Sequence, residues 1–174
     1  MMILVTGGSG SGKSAFAEDC VVSMGEMRRI YIATMFPYDE ESHRRVRRHR
    51  QMRSGKGFET LECYTDLAEL RVPSGCTVLL ECMSNLVANE MFHENGAKDN
   101  TVKKILEGVL FLKKKASNVV IVTNEIFSEV NQYEGDTKLY QKYLGEINQK
   151  LAELADQVVE VVYGIPVYHK SNRK

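Results

Sequence analysis

A glycine-rich segment near the start of the chain has the residue types and spacing of a phosphate-binding loop. It matches G-x-x-x-x-G-K-[ST] and lies between an apolar run and a helix-forming segment, the context that this motif requires. Loops of this kind surround phosphate oxygens with backbone N–H groups; the lysine reaches the β- and γ-phosphates, and the serine hydroxyl binds Mg²⁺. A chance glycine-rich turn is the alternative, and the flanking elements favour a site for ATP or GTP. The predicted nucleotide-binding residues of the loop are Gly7, Gly8, Ser9, Gly10, Ser11, Gly12, Lys13 and Ser14.

A carboxylate is expected beside the loop, and Glu81 is the candidate. It ends the apolar run 76–81, which is typical of a buried strand. A nucleotide site of this class needs an acid near its metal, so we predict that Ser14 and Glu81 hold Mg²⁺ together. Otherwise Glu81 would cap the helix that follows.

Basic residues are concentrated in the segment 44–53, where six of ten residues are arginine. His49 lies among them. Judged by composition alone, it would be a solvated histidine on a charged helix. The segment around it is strongly polar, which predicts a helix on the surface of the protein.

Apolar runs alternate with helical patterns along the whole chain, which predicts a mostly parallel sheet covered on both faces. Ligands of such sheets bind at the carboxyl ends of the strands, so Thr6, Thr34, Glu81 and the residues 123–125 should line one crevice. The predicted strands are 2–6, 29–34, 58–63, 76–81, 119–123 and, closing the set, 158–163. The predicted helices are 13–24, 39–53, 66–70, 83–94, 100–116 and 137–155.

Bulk properties limit the classes of protein that remain. The 174 residues suffice for one domain, predicted over 1–174, and a net charge of zero provides no global field toward nucleic acid or membrane. No run approaches the roughly 20 apolar residues of a membrane span, and the N-terminal run is too short for a signal peptide. The four cysteines have neither paired nor zinc-like spacing, which favours the reducing cytoplasm.

Taken in order, the motifs resemble a known family. The opening M-I-L-V-T-G-G-S-G-S-G-K-S is followed by Y-I-A-T, R-V-R-R-H-R, T-L-E-C, L-L-E-C-M-S-N-L-V-A-N, V-T-N-E, I-N-Q-K-L-A-E-L-A-D and V-V-Y-G-I-P. This series is similar to the bifunctional adenosylcobinamide kinase / adenosylcobinamide-phosphate guanylyltransferase family of cobalamin biosynthesis, from residue 2 to about 167. The resemblance implies an α/β fold, a RecA-like P-loop NTPase three-layer sandwich with a mostly parallel sheet.

The resemblance also implies a chemistry in two parts. ATP or GTP phosphorylates the aminopropanol hydroxyl of adenosylcobinamide, and GMP is then transferred from GTP to that phosphate through a GMP–histidine intermediate. His49 is the matching histidine, and His43 matches less well. A neutral imidazole is a good nucleophile toward an α-phosphate, and neighbouring arginines can neutralise the phosphates. His93 and His169 lack such a context and are predicted to lie on the surface.

Further site residues follow from the resemblance. The corner 123–125 is expected to belong to the kinase site, since it ends a strand beside the phosphate loop. Glu62 is either a guanine or ribose contact or an exposed acid at a strand end. The resemblance also implies a homotrimer with a corrinoid acceptor. The predicted nucleotide contacts outside the loop are Ala33, Thr34, Met35, Arg50, Gln51, Met52, Arg53, Glu62 and Glu81.

The sequence departs from the family pattern at three places. Arg53 is followed by Ser54 where the family commonly has proline, and Phe58 stands at or near the position of a tryptophan. The segment 126–131 replaces a glycine and V-P segment. An arginine expected near the start of the next helix has no clear counterpart, and Lys138 and Lys142 are the candidates to substitute for it. These changes suggest an alternative, an enzyme of the same fold with only one of the two activities.

Two other classes of protein remain as alternatives. The arginines could track the phosphates of a nucleic acid in a P-loop ATPase. The zero net charge, the absence of aromatic residues among the arginines and four nearby acids speak against it; these acids are Asp39, Glu40, Glu41 and Glu59. A nucleotide sensor without catalysis is the other class, and the set of Lys13, Ser14 and Glu81 argues against it.

Overall fold

Seven strands form one sheet in the computed structural model, which describes residues 1–126 and 135–171. The strands are β1 (Met2–Thr6), β2 (Arg29–Ala33), β3 (Phe58–Glu62), β4 (Thr77–Glu81), β5 (Asn118–Val122), β6 (Gln157–Val162) and β7 (Ile165–Ser171). The helices are α1 (Lys13–Ser23), α2 (Glu40–Arg53), α3 (Met83–Phe92), α4 (Thr101–Lys115) and α5 (Asp136–Leu154), with 3-10 turns at Leu67–Glu69 and Lys98–Asn100.

The order of the strands across the sheet is β3-β2-β4-β5-β1-β6-β7. All neighbouring pairs are parallel except β6 and β7, which confirms the prediction of a mostly parallel sheet. β1, which leads into the phosphate loop, lies between β5 and β6. The corner 123–125, which follows β5, therefore ends a strand beside the phosphate loop, as expected. The carboxyl ends of β1, β2, β4 and β5 therefore meet at one edge of the sheet, where the phosphate loop begins.

Helices cover both faces of the sheet because its central strands are apolar on both sides. On one face, alternate residues of the strands pack against Ala17 and Val21 of α1. On the other face, the intervening residues pack against the helices α3, α4 and α5. The result is three layers, with the core divided by the sheet.

The prediction that the strand at 158–163 closes the set is wrong. A tight turn at Tyr163 and Gly164, both with positive φ, leads into β7, which pairs antiparallel with β6. β7 is the edge of the sheet and is largely exposed, with Ile165 at 65% exposure. It also begins with Ile165-Pro166, and proline is tolerated in sheets mainly at such edges. Because β7 is mostly exposed, its sequence lacks the apolar run from which the other strands were predicted.

Other expectations concern segments at the margins of the described residues. The segment 126–131, which departs from the family pattern, lies outside the described residues from residue 127 onward. Lys138 and Lys142 lie on the exposed side of α5. Within 1–126 and 135–171, each helix is too short or too polar to cross a bilayer.

Candidate active site

The phosphate loop connects β1 to α1 and is shaped by its glycines. Gly7 has φ +152°, and a Cβ atom there would lie 2.6 Å from the carbonyl oxygen of Val161 on β6, so no larger residue fits without displacing backbone. Gly12 has φ +91°, and its carbonyl oxygen accepts the first bond of α1, from the N–H of Phe16 at 3.1 Å. No acidic side chain lies in the first turn of α1. Its positive end is therefore available to phosphate.

Glu81, at the end of β4, has a different partner on each carboxylate oxygen. Ser14 Oγ donates to Oε1 at 2.5 Å, and the Tyr31 hydroxyl donates to Oε2 at 2.6 Å. The residue is 8% exposed. Ser14 and Glu81 together offer two hard oxygen ligands, which fits Mg²⁺, an ion that takes its remaining ligands from phosphate and water. No group of three or more His, Cys, Asp and Glu side chains that could hold a metal occurs in the described residues.

α2 brings His49 to the same carboxylate. Its Nδ1 atom lies 3.6 Å from Oε1 of Glu81, beyond hydrogen-bond distance, and has no hydrogen-bond partner among the described residues. The His49 side chain is 28% exposed. The histidine of the arginine-rich helix and the serine of the phosphate loop thus share one carboxylate.

α2 lies largely on the surface, as its composition predicts, but Arg53 at its end is buried. Arg53 is 6% exposed, and its guanidinium carbon lies 3.3 Å from the centroid of the Tyr31 ring. Its Nη1 atom has no hydrogen-bond partner in the part of the chain that the structure describes. Burial, followed by the charge of Glu81, raises the pKa of Tyr31 far above its ordinary value, so the phenol remains a proton donor. Arg53 can be buried at this position because an arginine stacks favourably on an aromatic ring.

A cavity of about 290 Å³ opens between α2 and the carboxyl ends of β2, β3 and β4. Gln51 is exposed and lies outside its lining, and the side chain of Met52 falls outside the described ones. The Thr34 hydroxyl makes two hydrogen bonds to the backbone of Cys82, donating to its carbonyl and accepting from its N–H. The predicted nucleotide contacts that line the cavity are Ala33, Thr34, Met35, Arg50, Arg53, Glu62 and Glu81, together with His49.

Glu62 lies at the outer rim of this cavity. Arg50 donates to its Oε1 at 3.2 Å, and the Tyr64 hydroxyl donates to its Oε2 at 3.1 Å. The side chain is 53% exposed. Its position is compatible with a contact to the nucleoside, and that role stays a prediction.

A second cavity, of about 370 Å³, lies beside the phosphate loop, against α5. Ser9 and Lys13 of the loop line it together with Asn124 and Glu125, which follow β5. The N–H of Glu125 donates to the carbonyl of Gly7 at 3.2 Å, and Lys13 Nζ donates to the carbonyl of Gly8 at 3.0 Å. The corner 123–125 therefore adjoins the loop, and its role in the kinase reaction stays a prediction.

Comparison with known proteins decides the family. A family model described as cobinamide kinase / cobinamide phosphate guanyltransferase matches residues 3–168. The chain belongs to this family. Two curated proteins named bifunctional adenosylcobalamin biosynthesis protein CobU are similar over 96% of this chain and 98% of their own length. The one from Escherichia coli is 33% identical, and the one from Salmonella typhimurium is 31% identical.

Solved structures with the same fold are much more distant in sequence. A KaiC-like protein from Pyrococcus horikoshii is 11% identical, with a TM-score of 0.53 over 99% of this chain and 80% of its own. The flagellar accessory protein FlaH from Methanocaldococcus jannaschii is 12% identical, with a TM-score of 0.50 over 98% of this chain and 78% of its own. The fold is that of the RecA-like P-loop ATPases, as predicted, and membership of the family makes the chain a transferase.

Several residues of this family member's site escaped sequence reasoning. Tyr31 is one residue of a buried strand, and nothing in the strand pattern distinguishes it from its apolar neighbours. Asn85 lines the cavity, and Asn89 donates to the carbonyl of Thr34 at 2.8 Å. His43, the less well matched histidine, also lines the cavity.

The two histidines predicted for the surface differ from each other. His169 is exposed and lies 2.8 Å from Glu160. His93 is half-buried, with its ring centroid 5.5 Å from that of Phe36. Helix patterns cannot reveal a contact of this kind between the end of α3 and the segment after β2.

Proposed function

We propose that this transferase phosphorylates adenosylcobinamide with ATP or GTP and then transfers GMP from GTP to adenosylcobinamide phosphate, through a GMP–histidine intermediate on His49. The product is adenosylcobinamide-GDP. Family membership and the names of the curated relatives support the two activities. The observation that carries the histidine step is the approach of His49 to within 3.6 Å of Glu81, the carboxylate that also accepts from Ser14 of the phosphate loop.

In the first half of the guanylyl transfer, neutral His49 attacks the α-phosphorus of GTP. Nδ1 faces Glu81, so Nε2 is the nitrogen that forms the P–N bond. The bond from the α-phosphorus to the bridging oxygen breaks, and pyrophosphate leaves. Glu81 stabilises the positive charge that develops on the ring, and Arg50 supplies positive charge to the phosphates.

In the second half, a phosphate oxygen of adenosylcobinamide phosphate attacks the same phosphorus. The P–N bond breaks, a P–O–P linkage forms, and neutral His49 is regenerated. A P–N bond to imidazole is energetic enough to pass the nucleotidyl group on to a phosphate.

The kinase step needs a nucleotide whose γ-phosphate faces a hydroxyl. Lys13 and the α1 N-terminus would hold the β- and γ-phosphates while the aminopropanol hydroxyl attacks the γ-phosphorus, and the bond to the β-phosphate oxygen breaks. The cavity beside Asn124 and Glu125 offers room next to the loop for the aminopropanol arm that carries this hydroxyl. Mg²⁺ held by Ser14 and Glu81 would neutralise phosphate charge.

The two half-reactions can be tested separately in one purified preparation. GTP labelled at the α-phosphate should transfer label to adenosylcobinamide phosphate, and ATP labelled at the γ-phosphate should transfer label to adenosylcobinamide. His49→Ala should abolish the first transfer and keep the second, whereas Lys13→Ala should impair both. Loss of one activity in the wild-type protein would contradict the bifunctional assignment and favour the enzyme with a single activity.

Assembly and location are carried over from the family resemblance. We propose a homotrimer in the cytoplasm, with the nucleotides and a corrinoid as its ligands and without nucleic acid as a partner. Analytical ultracentrifugation tests the trimer, and a monomer or dimer at micromolar concentration would contradict it.

A further inference from the structure

Four side chains from α2, β2 and β4 contact one another in series at the cavity between α2 and the carboxyl ends of β2, β3 and β4. His49 and Arg53 lie one turn apart on α2 and face the sheet together. His49 approaches Glu81, Glu81 accepts from Tyr31, and the Tyr31 ring carries Arg53. His49, the proposed nucleophile, is therefore linked to Glu81 in two ways. It approaches the carboxylate directly, and its helix is also held to Glu81 through Arg53 and Tyr31.

Strand register explains why Tyr31 can reach Glu81. On the adjacent strands β2 and β4, Tyr31 pairs with Leu79, so the Tyr31 side chain stands on the face shared by Leu79 and Glu81. The residue is 4% exposed and packs in the apolar layer beneath α1. From this layer the Tyr31 hydroxyl donates to Oε2 of Glu81 at 2.6 Å.

We propose that Tyr31 and Arg53 form a positioning pair that orients Glu81 and His49 toward each other for guanylyl transfer. The Tyr31 hydroxyl occupies Oε2, which turns Oε1 toward Ser14 and His49. The stacked Arg53 fixes the end of α2 and thereby the height of His49 above Glu81. The inference rests on the proposed function, because it assigns how the nucleophile of that reaction is held.

Tyr31→Phe separates positioning from packing. The variant keeps the ring, its burial and the surface on which Arg53 stacks, and it removes only the O–H to Glu81. Loss of an outer hydrogen bond to a functional carboxylate typically reduces activity by about 10- to 100-fold. We expect the rate constant for GMP–histidine formation to fall by that factor while the KM for GTP stays within about twofold.

A matched control is available on α5. Tyr143 is half-buried against the opposite core layer, away from the cavity. Tyr143→Phe should form the GMP adduct at the wild-type rate. Should Tyr31→Phe fail to fold, Arg53→Lys carries the test, since it keeps the charge and the Tyr31 hydroxyl and removes the planar stack.

A second readout uses no nucleotide, metal or turnover. The chain has four histidines, so their Cε1–H signals can be resolved by NMR and assigned by single substitution to glutamine. Tyr31→Phe should move the His49 signal and leave those of His93 and His169 in place. A wild-type rate, a raised KM for GTP or an unmoved His49 signal in this variant would each overturn the proposal. If the wild-type protein forms no adduct, the proposed function fails instead, and the NMR result still decides the positioning pair.

Discussion

The two carboxylate oxygens of Glu81 have different neighbours, Ser14 and His49 at Oε1 and Tyr31 at Oε2. A substitution of Glu81 should therefore affect all three contacts. Glu81→Gln keeps the size of the side chain and removes its charge, which leaves Ser14 and His49 without a carboxylate. We expect the rate of GMP–histidine formation to fall by about 100-fold, since the residue both orients the metal site and stabilises charge on the imidazole. Rapid-quench measurement at saturating GTP and Mg²⁺ checks this. A rate within a factor of about two of the wild type would contradict it.

Glu62 should behave differently because it lies at the rim. Glu62→Gln removes a charge that Arg50 and Tyr64 contact on an exposed surface. If Glu62 contacts the nucleoside, the KM for GTP should rise by about 10-fold with kcat nearly unchanged, the pattern of a lost binding contact. The matching measurement with ATP in the kinase reaction should show a smaller increase. Unchanged KM values for both nucleotides would favour the exposed-acid interpretation.

Residues within recognisable motifs could be predicted, whereas residues defined by contacts across elements could not. The motif that contains Lys13 and Ser14, placed between a strand and a helix, indicated a phosphate loop, and the family series pointed to His49. The contacts of Tyr31 and Arg53 with the site depend on the register between β2 and β4 and on how α2 packs against the sheet. Composition even pointed the wrong way for Arg53, because a polar helix normally faces solvent.

At the scale of elements, the phosphate loop offers a comparison between two adjacent glycines. Gly7→Ala would place a Cβ atom 2.6 Å from the carbonyl oxygen of Val161, so β6 or the loop must shift. We expect the free energy of unfolding to fall by about 1–3 kcal/mol. At Gly8 no atom lies within 4 Å of the added Cβ, and Gly8→Ala should stay within about 0.5 kcal/mol of the wild type. Urea unfolding of both variants provides the measurement, and equal stabilities would contradict the expectation.

Strand prediction was clearest where burial produced an apolar run, and it failed at the exposed edge strand β7. The strands β1, β4 and β5 are almost wholly buried, and their apolar runs mark them clearly. β7 is an exposed edge whose positions are mostly accessible, so the chain after Gly164 shows no comparable run. The order of the strands in the sheet could not be predicted from the sequence pattern, because it depends on how the crossover connections pack.

At the scale of the whole molecule, buried thiols should make the fold sensitive to alkaline pH. Burial, aided by the charges of Glu90 and Asp66, raises the pKa of Cys63 from 9.0 to about 12. The unfolded chain loses this proton near pH 9 and the folded chain only near pH 12, so stability falls as pH rises between these values. The slope from one such group is at most about 1.4 kcal/mol per pH unit.

Cys63→Ala should therefore flatten the decline in unfolding free energy between pH 9 and pH 11. Cys20, whose pKa burial raises to about 11, acts in the same direction, and Cys20→Ala provides the comparison with a smaller expected effect. Urea titrations at successive pH values measure the slope. An unchanged slope in Cys63→Ala would show that the thiol titrates similarly in both states.

The architecture of the whole molecule was predictable in its class because strands and helices alternate along the chain. The seven-stranded sheet with helices on both faces agrees with that class. One nucleotide-binding domain over 1–174 stays a prediction. The approach of His49 on α2 to Glu81 could not be predicted in this way, since nothing in the sequence pattern brings residues 49 and 81 together.

The central claim is that one site joins the phosphate loop to a histidine nucleophile. Intact-protein mass spectrometry after incubation with GTP and Mg²⁺ tests it most directly, with the wild type and His49→Ala treated in parallel. We predict a GMP-sized adduct on the wild type and none on His49→Ala. An adduct of equal abundance on His49→Ala, or none on a wild-type protein that binds GTP, would contradict the claim.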